Sequence, residues 1–314
     1  MGYLVTKDRN SFSHPRHVAD AEMQFPDSVA HLVQHDYPLA SSLWLGIGGP
    51  ARYFAEPTNR NELVTLAQAA IHAGVAVRIL GGGSGVLSRE AGVDALVISL
   101  SAGPLSQLSI DDTRLTAGGG AKLSHAVTHT VSAGLGGLEH LLGIPGTVGG
   151  AISGNANADG RDIGSVTAEL EVVQADGNVV TMRGEEAQFS HRRSGLAGTI
   201  ILQATFQLDR RDATALTKRM QKLWIVRGAS RPSDLSRIAM PFVDPDGATA
   251  ERLIADIGLA GVREGGASLS SEHPHFLVTD ATASSADCLR LIERVREQVL
   301  LQTGIDLQTS LQIW

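Results

Sequence analysis

The chain has 314 residues, a formal net charge of −7 and 43% hydrophobic residues, enough apolar material for a core divided among two or three modest domains. An acidic balance with only 4% aromatic residues excludes a general polyanion-binding surface and a set of base-stacking platforms, so no nucleic-acid partner is expected. The single cysteine, Cys288, excludes an intramolecular disulfide and a cysteine-built metal cluster.

Residues 1–34 read as a flexible, polar, histidine-bearing extension with a short helix near Val29. His14 and His17 stand three apart there, but without further ligands nearby they read as a solvated tail, so no metal site is expected. The N-terminus lacks the apolar stretch of a secretory signal. No run of about 18 apolar residues offers a membrane span, so a cytoplasmic protein is the expectation.

From about Leu43 the texture changes. Arg52 to Ala55, closed by Pro57, reads as a strand. Glu62 to Ile71 has helical spacing and ends near Gly74. Val75 to Leu80 is a strand that feeds Gly81-Gly82-Gly83-Ser84-Gly85, and Ala95 to Leu100 is another strand. The result is a β-α-β unit with a glycine loop at a strand end, where ligands sit in open α/β sheets. The spacing is not that of a nicotinamide-binding Rossmann domain, and no acidic residue follows at the right distance.

Arg114 to Ala117 leads into Gly118-Gly119-Gly120, followed by a helix from Leu123 to Val131 with Gly134 as its cap. Then comes Gly143-Ile144-Pro145-Gly146-Thr147-Val148-Gly149-Gly150-Ala151, with Gly154-Asn155 close behind. Glycine lets a backbone approach a ligand, and successive N–H groups can form a concave anion site. Three such loops suggest a long phosphate-bearing ligand lying along backbone amides. Beyond them, Ala168 to Val173 and Val179 to Met182 flank Asp176-Gly177 as a β-hairpin, and Thr199 to Leu208 is a strong strand. Helices are expected over Ala213 to Arg227, Ala250 to Ile257 and Ala286 to Val299. Phe276 to Thr279 and Leu311 to Ile313 are strand-like, and Arg231 to Asp234 reads as a linker. The divisions expected are 1–34, 35–209 with a split near 100, and 210–314. Cys288, on a helical pattern, reads as a small buried hydrophobe.

An ordered set of motifs runs through residue 36 to the C-terminus. It comprises Ile47-Gly48-Gly49-Pro50-Ala51 with Glu56-Pro57, the Gly81 to Ser84 loop, Gly134 to Glu139, Gly143 to Ala151, and Gly154-Asn155-Ala156. Phe189 with Arg192 and Ser194, Arg227 with Pro232, Phe242 with Pro245, and Gly265-Gly266-Ala267 with Ser270 and Phe276 complete it. In this order the chain resembles the UDP-N-acetylenolpyruvoylglucosamine reductase family of peptidoglycan synthesis. The resemblance implies an α+β protein. Its FAD-binding fold, of the vanillyl-alcohol-oxidase type, has two subdomains and is followed by a C-terminal α/β domain for a UDP-sugar. It also implies noncovalent FAD, NADPH as electron donor, and reduction of UDP-N-acetylglucosamine enolpyruvate to UDP-N-acetylmuramate. A monomer is the simpler expectation.

The residues that the resemblance assigns to FAD are Gly48, Gly49, Gly81, Gly82, Gly83, Ser84, Gly85, Gly143, Ile144, Pro145, Gly146, Thr147, Gly149, Gly150, Ala151 and Asn155. For the chemistry it assigns Arg192 to polarise the substrate carboxylate. Two catalytic positions depart from the family: Met240 stands where a serine is usual, and Ser310 where a glutamate is usual. His191, in place of a tyrosine, is a further candidate proton donor. These departures raise an alternative, a catalytically impaired paralogue that binds FAD and a UDP-sugar.

Overall fold

The computed structural model describes residues 23–101, 103–232 and 237–314. His14, His17 and most of the N-terminal extension lie outside the described residues. The first described unit is a mixed sheet in the order Val33–Pro38, Pro50–Ala55, Val93–Ser99, Val77–Leu80. Its last three strands run parallel, as expected when a helix connects two of them. That helix, Arg60–His72, starts where the Asn59 side chain accepts from the Glu62 amide at 3.0 Å. It buries Leu63, Leu66, Ala67 and Ala70 at helical spacing.

The second unit is an antiparallel five-stranded sheet in the order Val179–Arg183, Thr167–Val173, Ile200–Gln207, Arg114–Gly118, Leu108–Asp111. The helices Leu123–Ser132 and Val148–Ser153 contribute Leu123, Val127, Val148 and Ile152 to the core that holds Leu115 and Phe206. The expected hairpin turns at Asp176-Gly177, with the Asn178 amide on Asp176 Oδ1 at 2.9 Å. The proposed split near residue 100 falls between these two sheets.

The third unit is a small sheet, Ile238–Ala239, Leu277–Thr279, Ala267–Leu269, Arg263–Glu264, with the helices Ala250–Asp256 and Ser285–Thr303. Cys288 is fully buried there, and burial pushes its thiol up to about 12, as a small hydrophobe's environment would. This core is not confined to the C-terminal residues. Leu45, Ile47 and Leu87 belong to it, Thr279 Oγ1 donates to the Leu45 carbonyl at 2.7 Å, and Gln312–Ile313 pairs parallel with Val86–Leu87.

The strand Val33–Pro38 is absent from the sequence reading, and a division at residue 34 falls inside it. Its burial pattern is mostly exposed, as an edge strand's can be, so no apolar alternation marks it. Before it, the short helix Asp27–Ala30 forms near Val29 as expected, and Val29 is buried in the first unit's core rather than solvated.

Candidate active site

Two glycine loops meet in space. A Cβ on Gly81 would lie 2.7 Å from Thr147 Oγ1, and one on Gly82 would lie 2.8 Å from Gly146 Cα. Only bare backbone on one side lets the other approach. Gly146 also has φ +104, a conformation closed to other residues in practice. Among the described residues, the N–H groups of Gly81, Gly82, Gly83, Ser84, Gly85, Gly146 and Thr147 find no protein acceptor. Gly81, Gly82 and Gly85 are exposed. A row of unpaired amides on two touching loops fits an anionic diphosphate.

Not every expected contact belongs to that row. The amides of Val148 and Gly149 donate to Ala121 and Gly119 carbonyls at 2.8 Å each, and the Gly150 amide donates to Thr147 Oγ1 at 3.3 Å. Ala151 is buried in the core, Ile144 packs against that core, and Pro145 is exposed. Gly48 and Gly49 are accounted for by packing: a Cβ on Gly49 would lie 2.2 Å from the Glu90 carbonyl oxygen.

The third glycine run corrects the expectation of three ligand loops. Gly118, Gly119 and Gly120 donate to the carbonyls of Gln107, Leu202 and Leu105 at 2.9, 2.9 and 2.8 Å. All three are buried. Their job is to let backbones pass closely, and no amide remains for a phosphate.

Arg192 stands on a turn closed by Ser190 and Arg193, whose amides donate to each other's carbonyls at 2.9 and 3.1 Å. Asn155, expected to touch FAD, instead commits its side chain to this turn. Its Nδ2 donates to the Ser190 carbonyl at 2.8 Å and its Oδ1 accepts from Gly164 at 3.1 Å. Ser194 Oγ adds a bond to the Ser153 carbonyl at 2.8 Å. Arg192 is held at φ 55, unusual for a residue with a side chain. Among the described residues its Nε is buried without a partner, and its Nη2 lies 4.0 Å from Asp244 Oδ2. The arginine therefore points at the C-terminal unit. His191 is exposed on the same turn.

Met240 and Ser310, seventy residues apart in sequence, are neighbours. The Ser310 hydroxyl donates to the Met240 carbonyl, and the Ser310 amide donates to Pro241 at 2.9 Å. Two residues on, the Gln312 amide donates to the Gly85 carbonyl at 2.9 Å. The C-terminal segment thus ties positions 240 and 310 to the end of the first glycine loop.

Behind the second loop lies a shell that sequence reading passed over. Glu139 accepts from the Gly137 amide at 2.7 Å and from Arg161 at 2.9 Å, and Arg219 forms an ion pair with it at 3.2 Å. Burial alone would raise its pKa; the Arg161 and Gly137 bonds outweigh that and hold it down to about 2. Next to it His140 is 1% exposed, and among the described residues neither ring nitrogen has a partner. Burial, with the Arg161 charge, pushes its pKa down to about 4. Arg227 and Arg231 donate to the Leu142 and Gly143 carbonyls and line a cavity of about 270 Å³ with Trp224 and Pro232. A second overlooked group is the run His273-Pro274-His275 with Glu251. Two histidines just before a strand that pairs with Ile238–Ala239 were the available signal.

Residues 51–183 match the family described as FAD binding domain, and residues 231–314 match the C-terminal domain of UDP-N-acetylenolpyruvoylglucosamine reductase. A UDP-N-acetylenolpyruvoylglucosamine reductase of Rhodopirellula baltica is 56% identical over 92% of this chain and 95% of its own. One from Heliobacterium modesticaldum is 35% identical over 88% of each. The crystal structure of the Thermus caldophilus reductase superimposes with a TM-score of 0.77 at 32% identity, covering 90% of this chain and 98% of that one.

Proposed function

The chain belongs to the UDP-N-acetylenolpyruvoylglucosamine reductase family, and we infer that its paired glycine loops and C-terminal unit serve that family's reaction. It is an FAD-dependent oxidoreductase of peptidoglycan synthesis that uses NADPH to reduce UDP-N-acetylglucosamine enolpyruvate to UDP-N-acetylmuramate. The 56% identity to a reductase gives no support to the impaired paralogue that Met240 and Ser310 raised.

The open amides of Gly81 to Gly85, Gly146 and Thr147 would hold the FAD diphosphate. Bound there, FAD supplies hydride transfer, which no side chain can perform. Cys288, buried in the C-terminal core, offers no thioether link, and noncovalent binding is the reading proposed. Arg192, aimed toward the C-terminal unit with its Nε unpaired among the described residues, would polarise the substrate carboxylate as charge builds on it. Arg227 and Arg231 would take the substrate diphosphate in the cavity they line. The observation that carries this reading is the junction of Gly85, Gln312, Ser310 and Met240, because it brings the C-terminal unit's reacting segment to the cofactor loop.

The cytoplasm suits NADPH and a UDP-sugar as substrates, and no described helix is long and apolar enough to cross a membrane. A monomer is proposed, to be checked by light scattering. The deciding experiment is a visible spectrum of purified protein, then anaerobic NADPH with and without the UDP-sugar. Flavin bleaching and sugar-dependent recovery are expected. A colourless protein that takes up no added FAD would sink the reading.

A further inference from the structure

Reducing the enolpyruvyl double bond takes a proton as well as a hydride, and the segment facing the glycine loop offers few sources. Met240 carries a thioether, which has no proton to give. The Ser310 hydroxyl already donates to the Met240 carbonyl. Asp244 accepts from the Ala250 amide at 2.8 Å and faces Arg192.

On the other flank of this segment stands a histidine. Ile238 pairs with Val278 and Ala239 with Leu277, so the chain after Ala239, with Met240, and the chain before Leu277, with His275, leave the sheet at the same end. The His275 ring lies against Phe276, with centroids 4.3 Å apart. Its Nδ1 is buried 3.3 Å from Glu251 Oε1, the oxygen that His273 Nδ1 also meets at 3.1 Å. Glu251 is carried on the helix Ala250–Asp256, whose first amide is the one bonded to Asp244. The Glu251 carboxylate thus lies beside both rings without hydrogen-bonding His275 Nδ1 among the described residues, and Nε2, neither sealed off nor bonded among them, is the nitrogen left for a substrate.

Resting on the reductase reading, we propose that His275 is the proton donor of this chain, replacing the function that Met240 lacks, with Glu251 as its positioning residue. The hydride that originates from NADPH forms a C–H bond at the methylene carbon. The π pair moves to the carboxylate-bearing carbon and takes the proton from Nε2 of imidazolium, breaking that N–H bond. The neutral imidazole then regains a proton from solvent. NADPH is oxidised and the double bond is reduced, so the step balances.

The test uses holoprotein carrying His275→Gln. Anaerobic flavin bleaching by NADPH should persist, and the UDP-sugar should still bind to the oxidised protein. Flavin recovery on adding the sugar should slow by roughly 10²- to 10⁴-fold, the usual cost of losing a general acid. The pH profile adds a second readout. Burial lowers the His275 pKa, while the Glu251 and Asp244 carboxylates oppose that and His273 adds to it. Recovery in the native protein should therefore quicken as pH falls below that of an ordinary histidine, and this rise should vanish in the variant. If His275→Gln does not fold, histidine NMR of the native protein decides: one ring must titrate and shift when the UDP-sugar binds. Recovery within about threefold of native in His275→Gln, or no histidine that responds to the sugar, overturns the assignment. The same holds if His191→Gln removes the pH-dependent rise while His275→Gln keeps it. Native flavin that NADPH bleaches but the sugar never restores would instead defeat the reductase reading itself.

Discussion

Gly81 to Gly85 and Gly118 to Gly120 are both glycine-rich and both lie at strand ends, yet their amides are disposed in opposite ways. In the first, the amides stay unpaired among the described residues and the loop is largely exposed. In the second, every amide is bonded to a carbonyl and every residue is buried. A glycine can be required because a ligand must come close or because another strand must, and composition does not separate the two. The destination of each N–H does.

The contrast breaks most visibly at Gly120. A Cβ there would sit 1.7 Å from the Leu100 carbonyl oxygen, a distance backbone shifts must absorb inside the core. Gly120→Ala is expected to destabilise by more than about 4 kcal/mol, read by chemical denaturation with no dependence on added FAD. An unchanged midpoint would end the claim that this run is packing. Gly82→Val should behave differently. Its Cβ meets Gly146 at 2.8 Å, but between two surface loops that can part. The protein should fold, with native far-UV dichroism, and emerge without the visible absorbance of bound FAD. If it remains yellow, the open-amide loops are not the cofactor cradle.

Much of this architecture was legible. The helices Arg60–His72, Leu123–Ser132, Ala213–Gly228 and Ser285–Thr303 follow from apolar spacing and caps. What stayed hidden is long-range. Asn155 sits next to a glycine, so it read as part of a ligand loop, whereas its partners are Ser190 and Gly164. Leu45 and Leu87 join the C-terminal core across a boundary that sequence placed near 209. Position 240 and position 310 each looked like an isolated loss, whereas the structure sets them in contact, and His275 lies just before a strand whose partner ends next to Met240.

The shell behind the second loop sharpens the same contrast with two adjacent buried groups, one paired and one not. Glu139 holds Gly137, Arg161 and Arg219 together. Glu139→Gln should cost about 1–2 kcal/mol, because the carboxylate is buried but the Arg161 and Arg219 side chains are 40% and 48% exposed and water takes up most of what they lose. The sign of the pH effect follows from its depressed pKa of about 2. The stabilisation is present above the ordinary carboxylate range and is lost as pH falls toward that value. A native protein whose urea midpoint is flat over that range, and equal to the variant's, would show the bracket to be idle.

His140 is the opposite case and the smaller effect. It is buried with both nitrogens unpartnered among the described residues, and its pKa is pushed down to about 4. The unfolded chain therefore takes up a proton near pH 6.5 while the folded chain resists. Stability should fall as pH drops from that value toward 4, then level off once the folded form is also protonated. His140→Leu, close in volume and without polar atoms, removes both the unpaired nitrogens and the titration. It should gain about 1 kcal/mol at neutral pH and lose the decline between these two values. The measurement is urea denaturation of the native protein and the variant across that range. Parallel curves for the two proteins would mean that His140 is satisfied in solution by ordered water, and that the shell behind the loop is paired throughout.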